Sequence, residues 1–385
     1  MGAAKRATAR RRTGGGAEER AKRTRYAVIG AGHIVQVAVL PAFRHARQNS
    51  ELAAIVSGDA AKRAELGRRY RVPTADYREL ESLAQRERID AVYIGLPNDQ
   101  HCEFTERAAR AGLHVLCEKP MAVTVEEGRR MLEATERAGV LLMIGYRLHF
   151  EEATLAAVEL GASGRLGDLR YFDSSFSMQV RDENIRVEAE KGGGPLHDIG
   201  IYCIQAARML LRSEPTRVTA VRVRGREARF AEVDEAVSAV MEFPGDRLAA
   251  FTCSFGAASV SSYRLVGSDG DVRVEPAYEY TEPLVHHVTL KGRTRTRKFR
   301  WRDQFAPELL HFSRCIQAGD EPEPSGREGL VDLQIIEAIQ RAAESGRAVE
   351  LPPLVGDRPP EPRQGRALPP VRKPKLVKVR NASRE

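Results

Sequence analysis

Between residues 25 and 147 short apolar runs alternate strictly with amphipathic ones, and nothing else in the 385-residue chain restricts its fold as much. Residues 26–30, 52–57, 91–96, 115–117 and 141–145 read as strands, and 34–46, 60–70, 100–111 and 125–138 read as the helices between them. The strand runs are apolar throughout rather than every second residue, which requires both faces of their sheet to be covered. A strand–helix alternation of that kind predicts a doubly wound α/β unit with a parallel sheet.

After residue 148 the rhythm changes. Strand candidates at 168–180, 217–226, 235–243, 247–255, 260–266 and 288–301 succeed one another with little helix between them, and several alternate, as in Val221-Arg222-Val223-Arg224. This predicts a mostly antiparallel sheet over 148–350. One face would be covered by helices near 151–160, 195–211, 305–318 and 327–345, and the other solvated or set against another subunit.

The formal charge of +8 raises the question of a nucleic-acid partner, and its distribution answers it. Residues 1–25 carry a net +7 and residues 352–385 a net +6, which leaves the body near −5. Basic character therefore belongs to the ends, 1–24 and 351–385, which read as disordered, the first Arg/Gly/Ala-rich and the second broken by prolines. Solvated ends explain this better than nucleic-acid binding. Arg10-Arg11-Arg12 precedes no apolar stretch, so it does not read as an export signal. Five scattered cysteines, Cys102, Cys117, Cys203, Cys253 and Cys315, read as reduced and buried in a cytoplasmic protein. No membrane-length run and no metal-ligand spacing is present, so neither a membrane nor a metal is expected.

Gly30-Ala31-Gly32-His33-Ile34 lies between the first strand and the first helix. Glycines there let the backbone turn sharply and approach a pyrophosphate at a helix N-terminus, although such a turn also occurs without a ligand; Val35 stands where a third small residue is usual. The second strand ends at Ser57, with Lys62 and Arg63 in the first turn of the second helix. Hydroxyl and basic groups at that tip favour a 2′-phosphate, hence NADP, while Asp59 keeps NAD possible and a solvated helix face remains the plain alternative. Leu96-Pro97-Asn98 and His101 come after the third long strand, at the edge where open α/β sheets bind ligands; Asn98 alone could be a helix cap. Glu118-Lys119-Pro120 comes after the next strand. Lys119 there would lower the pKa of a nearby phenol, or form a buried pair with Glu118.

The segment 192–202, Gly-Gly-Gly-Pro-Leu-His-Asp-Ile-Gly-Ile-Tyr, reads as a glycine loop opening a helix with Asp198 and Tyr202 on one face. By itself this could be a helix start with an acid near its positive end. Lys119 upstream makes a proton-transfer set of the three.

Taken in order, the glycine turn, Glu118-Lys119-Pro120, Gly145-Tyr146-Arg147 and 192–202 resemble the Gfo/Idh/MocA oxidoreductases over about 25–350. Tyr202, where many members carry His, resembles the branch of glucose–fructose oxidoreductase and the dimeric dihydrodiol dehydrogenases. The resemblance implies an N-terminal Rossmann domain and a C-terminal domain whose large open sheet forms a dimer or tetramer interface. It also implies NADP contacts at Ser57 and Lys62, and hydride transfer to or from a sugar, polyol or diol. Tyr202 would be acid/base, Lys119 its helper and Asp198 the orienting carboxylate, with Arg147 and His149 as cofactor or substrate contacts. Two alternatives stay open: a sugar–sugar oxidoreductase with permanently bound NADP, and a non-enzymatic nucleotide sensor.

Overall fold

The computed structural model describes residues 23–384, so the expected N-terminal tail lies outside the described residues except for Arg23 and Thr24. The first sheet holds β1 (Thr24–Ile29), β2 (Ser50–Val56), β3 (Thr74–Ala75), β4 (Ala91–Ile94), β5 (His114–Glu118) and β6 (Leu142–Gly145). All its pairs are parallel and the order is β3-β2-β1-β4-β5-β6. The order reverses between β1 and β4, which opens a crevice at their carboxyl ends. Every residue of β4 and β6 is buried, as apolar runs sandwiched between helix layers must be.

The crevice depends on two glycines facing each other. Gly30 has φ +99°, and a Cβ on it would lie 2.3 Å from the Gly95 carbonyl oxygen; a Cβ on Gly95 would lie 2.3 Å from Val35 Cγ2. The room that a small residue at position 35 would leave is thus left by Gly95 instead, and the valine of the fingerprint is accommodated across the turn.

The second sheet contains β7 (Leu169–Ser177), β8 (Arg217–Val223), β9 (Ala236–Phe243), β10 (Arg247–Ser254), β11 (Val260–Gly267), β12 (Gly270–Val274), β13 (Val285–Leu290), β14 (Arg293–Lys298) and β15 (Val349–Glu350). Their order is β14-β13-β12-β11-β7-β10-β9-β8-β15, antiparallel except for β7 with β10. The single strand expected over 288–301 is a hairpin, because Lys291 and Gly292 both take positive φ, 51° and 71°, and turn the chain back. Val237, Ala239, Met241, Ala249 and Phe251 point inward, while Tyr171, Val221, Val223, Val240, Leu248 and Val260 stand on the uncovered face.

Two expectations are corrected. The helix Ala306–Ala318 does not cover the second sheet: it lies against β1 and β2, with Tyr26 Oη 2.8 Å from Ser313 Oγ and its Phe305, Leu309 and Phe312 in one core with Tyr26, Val28 and Tyr93. The stretch 351–384 does not hang in solvent. Leu368, Leu376 and Val377 pack against that same core and Leu351 and Leu354 against the other, so apolar side chains spaced among the prolines and cations help to seat it. The five cysteines are buried and unpaired. No helix among the described residues is long and apolar enough to cross a membrane, and no cluster of three His, Cys, Asp or Glu among them could hold a metal.

Candidate active site

The carboxyl edge of the first sheet carries Gly30, Ser57, Leu96, Lys119 and Arg147 at the ends of β1, β2, β4, β5 and β6. Above the glycine turn, a Cβ on Gly32 would meet nothing nearer than 3.9 Å, so the backbone lies open there. The first N–H groups of the adjoining helix have no partner inside it, as at any helix start. His33 is half-buried beside it, and burial first, with the Arg186 and Lys373 cations adding, holds its imidazole below its ordinary value. Ile34 packs into the core. An open glycine backbone at a helix start, with Arg186 and Lys373 near enough to act on His33, fits a dinucleotide pyrophosphate.

At the tip of β2, Ser57 is buried and its hydroxyl accepts the Asp59 N–H at 3.3 Å. Asp59 caps the helix Ala60–Tyr70, accepting from the N–H groups of Ala61 and Lys62 at 2.8 and 3.0 Å. It also receives Lys378 Nζ at 3.3 Å. Lys62 stays half-buried beside this pair. Arg63 turns away: it donates to the Ser57 carbonyl and to Asp76 Oδ2 at 2.9 Å, bracing the strand tip.

The loop after β4 is likewise braced. His101 is fully buried with Nδ1 2.8 Å from the Pro120 carbonyl and Nε2 3.0 Å from the Leu96 carbonyl, so it ties the Leu96-Pro97 loop to the turn after Lys119 and does not face the crevice. Asn98 is no cap: its Nδ2 donates to the Gly192 carbonyl at 2.9 Å, joining the two domains. Glu118 accepts Tyr93 Oη at 2.6 Å, and burial pushes its carboxyl up. The pair weighed for Lys119 is therefore not formed with Glu118.

Lys119 Nζ instead donates to Asp198, 2.7 Å to the carbonyl oxygen and 3.2 Å to Oδ1. The other carboxylate oxygen takes Arg186 Nε at 2.6 Å. Burial alone would push the Asp198 carboxyl up, but the Arg186 and Lys119 cations outweigh it and hold it well below the usual carboxylate range. Arg186 carries no motif, and what brings it in is Gly193. A Cβ there would lie 2.5 Å from the Arg186 carbonyl oxygen, and Gly194 N–H donates to that same oxygen at 2.8 Å. The glycine run is thus built to grip the loop that carries Arg186, which only the folded chain reveals.

Tyr202 is the second residue of the helix Ile201–Leu211, which continues a wider turn, Leu196–Gly200, holding Asp198. Its ring is walled by Phe176 and Tyr278, centroids 5.6 and 5.9 Å away, and flanked by two cations, Lys119 Nζ at 4.8 Å and Arg147 Cζ at 4.9 Å. Arg147 Nε donates to the phenol oxygen at 3.2 Å, while its remaining nitrogens are spent on Gln304 and the Tyr278 carbonyl. His149 is buried, 2.7 Å from Glu323 and 2.9 Å from Gln205, so both its ring nitrogens are taken by protein groups. Lys119, Asp198, Tyr202 and Arg147 are brought together, with Tyr280 stacked 5.2 Å from Arg147 as an unforeseen neighbour.

The profile of the Gfo/Idh/MocA oxidoreductases with an NAD-binding Rossmann fold matches residues 24–146, and that of their C-terminal domain matches 154–273. A D-xylose 1-dehydrogenase (NADP(+)) of Haloferax volcanii is 33% identical over 85% of this chain and 99% of its own length. A trans-1,2-dihydrobenzene-1,2-diol dehydrogenase of Danio rerio is 31% identical over 69% of this chain and 78% of its own. Among solved structures, the aldose-aldose oxidoreductase of Caulobacter crescentus superposes with a TM-score of 0.82 at 37% identity, covering 86% of this chain and all of the other. The 3-ketoreductase KijD10 of Actinomadura kijaniata, in complex with NADP, superposes with 0.77 at 27% identity over 83% and 98%.

Proposed function

The chain belongs to the Gfo/Idh/MocA oxidoreductase family, and from that premise we propose that it oxidises or reduces a hydroxyl-bearing carbon of a sugar, polyol or related diol with NADP. NADP bound along the carboxyl edge of the first sheet would supply the hydride acceptor or donor, the nicotinamide C4. The observation that carries the reading is the surrounding of the Tyr202 phenol: Lys119 over its ring, Arg147 on its oxygen and two aromatic walls that fix its rotamer.

Tyr202 moves the proton of the substrate hydroxyl. The two cations stabilise negative charge as it grows on the phenol or on the reacting oxygen, in a site where water is largely excluded. Asp198, held ionised, fixes Lys119 at the edge of β5. Because Arg186 takes one of its two oxygens, the Lys119 charge is only partly compensated and is left to act on the oxygen beside it. The substrate class is supported by the relatives, which are named for xylose, aldoses and a dihydrodiol. NADP is supported by the state of Asp59, whose carboxylate is engaged as a helix cap and by Lys378 and so is not free for a ribose diol. The uncovered face of the second sheet is, on the same reading, the subunit interface of a dimer or tetramer.

Tyr202→Phe is expected to lower turnover about 10²–10⁴-fold while leaving NADP binding nearly unchanged. Turnover equal to the parent protein's would sink the assignment. The likeness to an aldose-aldose oxidoreductase favours one second reading, a sugar–sugar oxidoreductase that keeps its NADP. The near-ultraviolet spectrum of the purified protein after addition of an oxidisable sugar decides it, since a retained nicotinamide then absorbs in its reduced form and an empty site does not.

A further inference from the structure

The C-terminal segment crosses the mouth of the dinucleotide crevice from one domain to the other. On the Rossmann side, Gln36 Nε2 donates to the Val377 carbonyl at 3.0 Å and its Oε1 accepts the Val377 N–H at 2.8 Å. The same Nε2 donates to the Ala31 carbonyl at 2.9 Å, so this amide stitches the segment to the glycine turn itself. Arg69 holds the Lys375 carbonyl at 2.6 Å, and Lys378 reaches Asp59 at the start of the next helix. Three residues further on the chain is already bound to the second domain. Arg181 Nε donates to the carbonyls of Asn381 and Ser383 at 3.2 and 2.9 Å, and Arg384 N–H donates to the Gln179 carbonyl at 2.9 Å. Arg186, which grips Asp198, lies five residues beyond Arg181. The segment therefore runs from the strand tip that faces an adenosine ribose toward the proton-transfer set.

What it carries over the crevice is charge. Arg372, Lys373, Lys375, Lys378 and Arg380 fall within nine residues. At the tip of β2 Lys378 pairs with Asp59, a carboxylate already capping a helix, and the half-buried Lys62 lies near both. Burial first pulls the Lys62 ammonium below its ordinary range, Asp59 opposes this, and Lys378 adds to it, which marks the two cations as crowded. The site is left with net positive charge beside the buried Ser57 hydroxyl, and a phosphate dianion would balance it.

We propose that residues 372–384 form a strap closing the outer wall of the cofactor groove, in which Lys378 joins Lys62 in holding the 2′-phosphate of NADP. The inference rests on the cofactor reading above and adds a residue and a segment to it. Cofactor exchange then requires the strap to lift at its exposed anchor, Arg181.

Binding and release of NADP+ and NAD+ test this without turnover, read by the fluorescence of Trp301, the chain's one tryptophan, whose indole donates to the Tyr280 carbonyl beside Arg147. Lys378→Ala should weaken NADP+ about tenfold to a hundredfold, the worth of a charge-assisted bond, and leave NAD+ unchanged, with Lys378→Arg restoring most of the loss. Arg181→Ala should speed the release of both dinucleotides by the same factor. An unaltered preference for NADP+ in Lys378→Ala, or tighter binding in Arg181→Ala as a segment blocking the groove would give, overturns the strap while leaving the oxidoreductase reading intact. Parent protein that binds neither dinucleotide overturns both.

Discussion

Val35 and Gly95 show how single residues decide whether the crevice can form. The valine side chain fills the space above Gly95 that any Cβ would need, so the two positions must be judged together. Gly95→Ala is expected to cost about 1–3 kcal/mol through overpacking, and Val35→Ala should restore much of it; a urea-unfolding double-mutant cycle measures the coupling, and strict additivity would refute the contact. At this scale the cluster of Lys119, Asp198 and Tyr202 is largely legible in the sequence. Lys119 stands out because a lysine at the carboxyl end of a buried strand needs a partner, and Asp198 and Tyr202 because four-residue spacing puts them on one side of a helix. Arg186 is not legible, since it lies in a single short turn, Ile185–Val187, and its pairing with Asp198 is created by the close packing of Gly193. His101, Asn98 and Arg63 stand in the chain where ligand contacts are expected, yet each braces main chain, because the tip of a strand needs its loops held as much as it needs a ligand.

The helix Ile201–Leu211 is the element on which the site turns, and a buried ionic network holds it from behind. Arg208, two turns after Tyr202, meets Asp332 at 2.7 Å and Glu328 at 2.8 Å, both on the helix Gly326–Ser345, and Glu214 at 2.5 Å. Arg208→Ala leaves three carboxylates facing one another and should destabilise by about 3–5 kcal/mol in thermal or urea unfolding; a loss under about 1 kcal/mol, the worth of an exposed pair, would show the network to be superficial. The same network reaches Gln205 and through it His149, which Tyr146 stacks on and Glu323 pairs with. Burial alone would lower the His149 imidazole, but the Glu323 carboxylate outweighs it and raises the value from 6.5 to about 9. A raised folded value means that the charged pair stabilises fully below pH 6.5 and is lost as pH climbs through about 9. The stability gap between the parent and His149→Gln should therefore shrink from pH 6.5 to above pH 9 by up to about 3 kcal/mol; a gap independent of pH would mean a neutral ring. Most helices come through in the periodicity, although the eight-residue Leu80–Glu87 goes unread. What each helix covers does not, because the helix Ala306–Ala318 is apolar on the face it shows to β1 and β2, and sequence pattern does not say which sheet that face will meet.

For the whole molecule, two surfaces matter most. The uncovered face of the second sheet exposes Val221, Val223 and Leu248, at 67, 56 and 47% of their areas, among other apolar side chains. Exposed apolar side chains of this kind are what the subunit interface proposed above would bury. Leu248→Asp with Val221→Asp is expected to raise the dissociation constant of the oligomer about tenfold or more in analytical ultracentrifugation; parent protein that sediments as a monomer would refute the interface. The second surface is the crevice and the segment across it. The cations of that segment are plain in the chain but its seat is not, since apolar residues spaced among prolines carry no periodic signal. If Lys119, Asp198 and Tyr202 serve hydride transfer at an NADP site, the decisive comparison is NADP-linked turnover by Lys119→Met and by the parent protein across aldoses, ketoses, inositols and vicinal diols. At least one of these should be oxidised or reduced by the parent, and Lys119→Met should lose that turnover about 10²–10³-fold while still binding NADP; equal turnover in the variant would contradict the role assigned to the lysine and the set built around it.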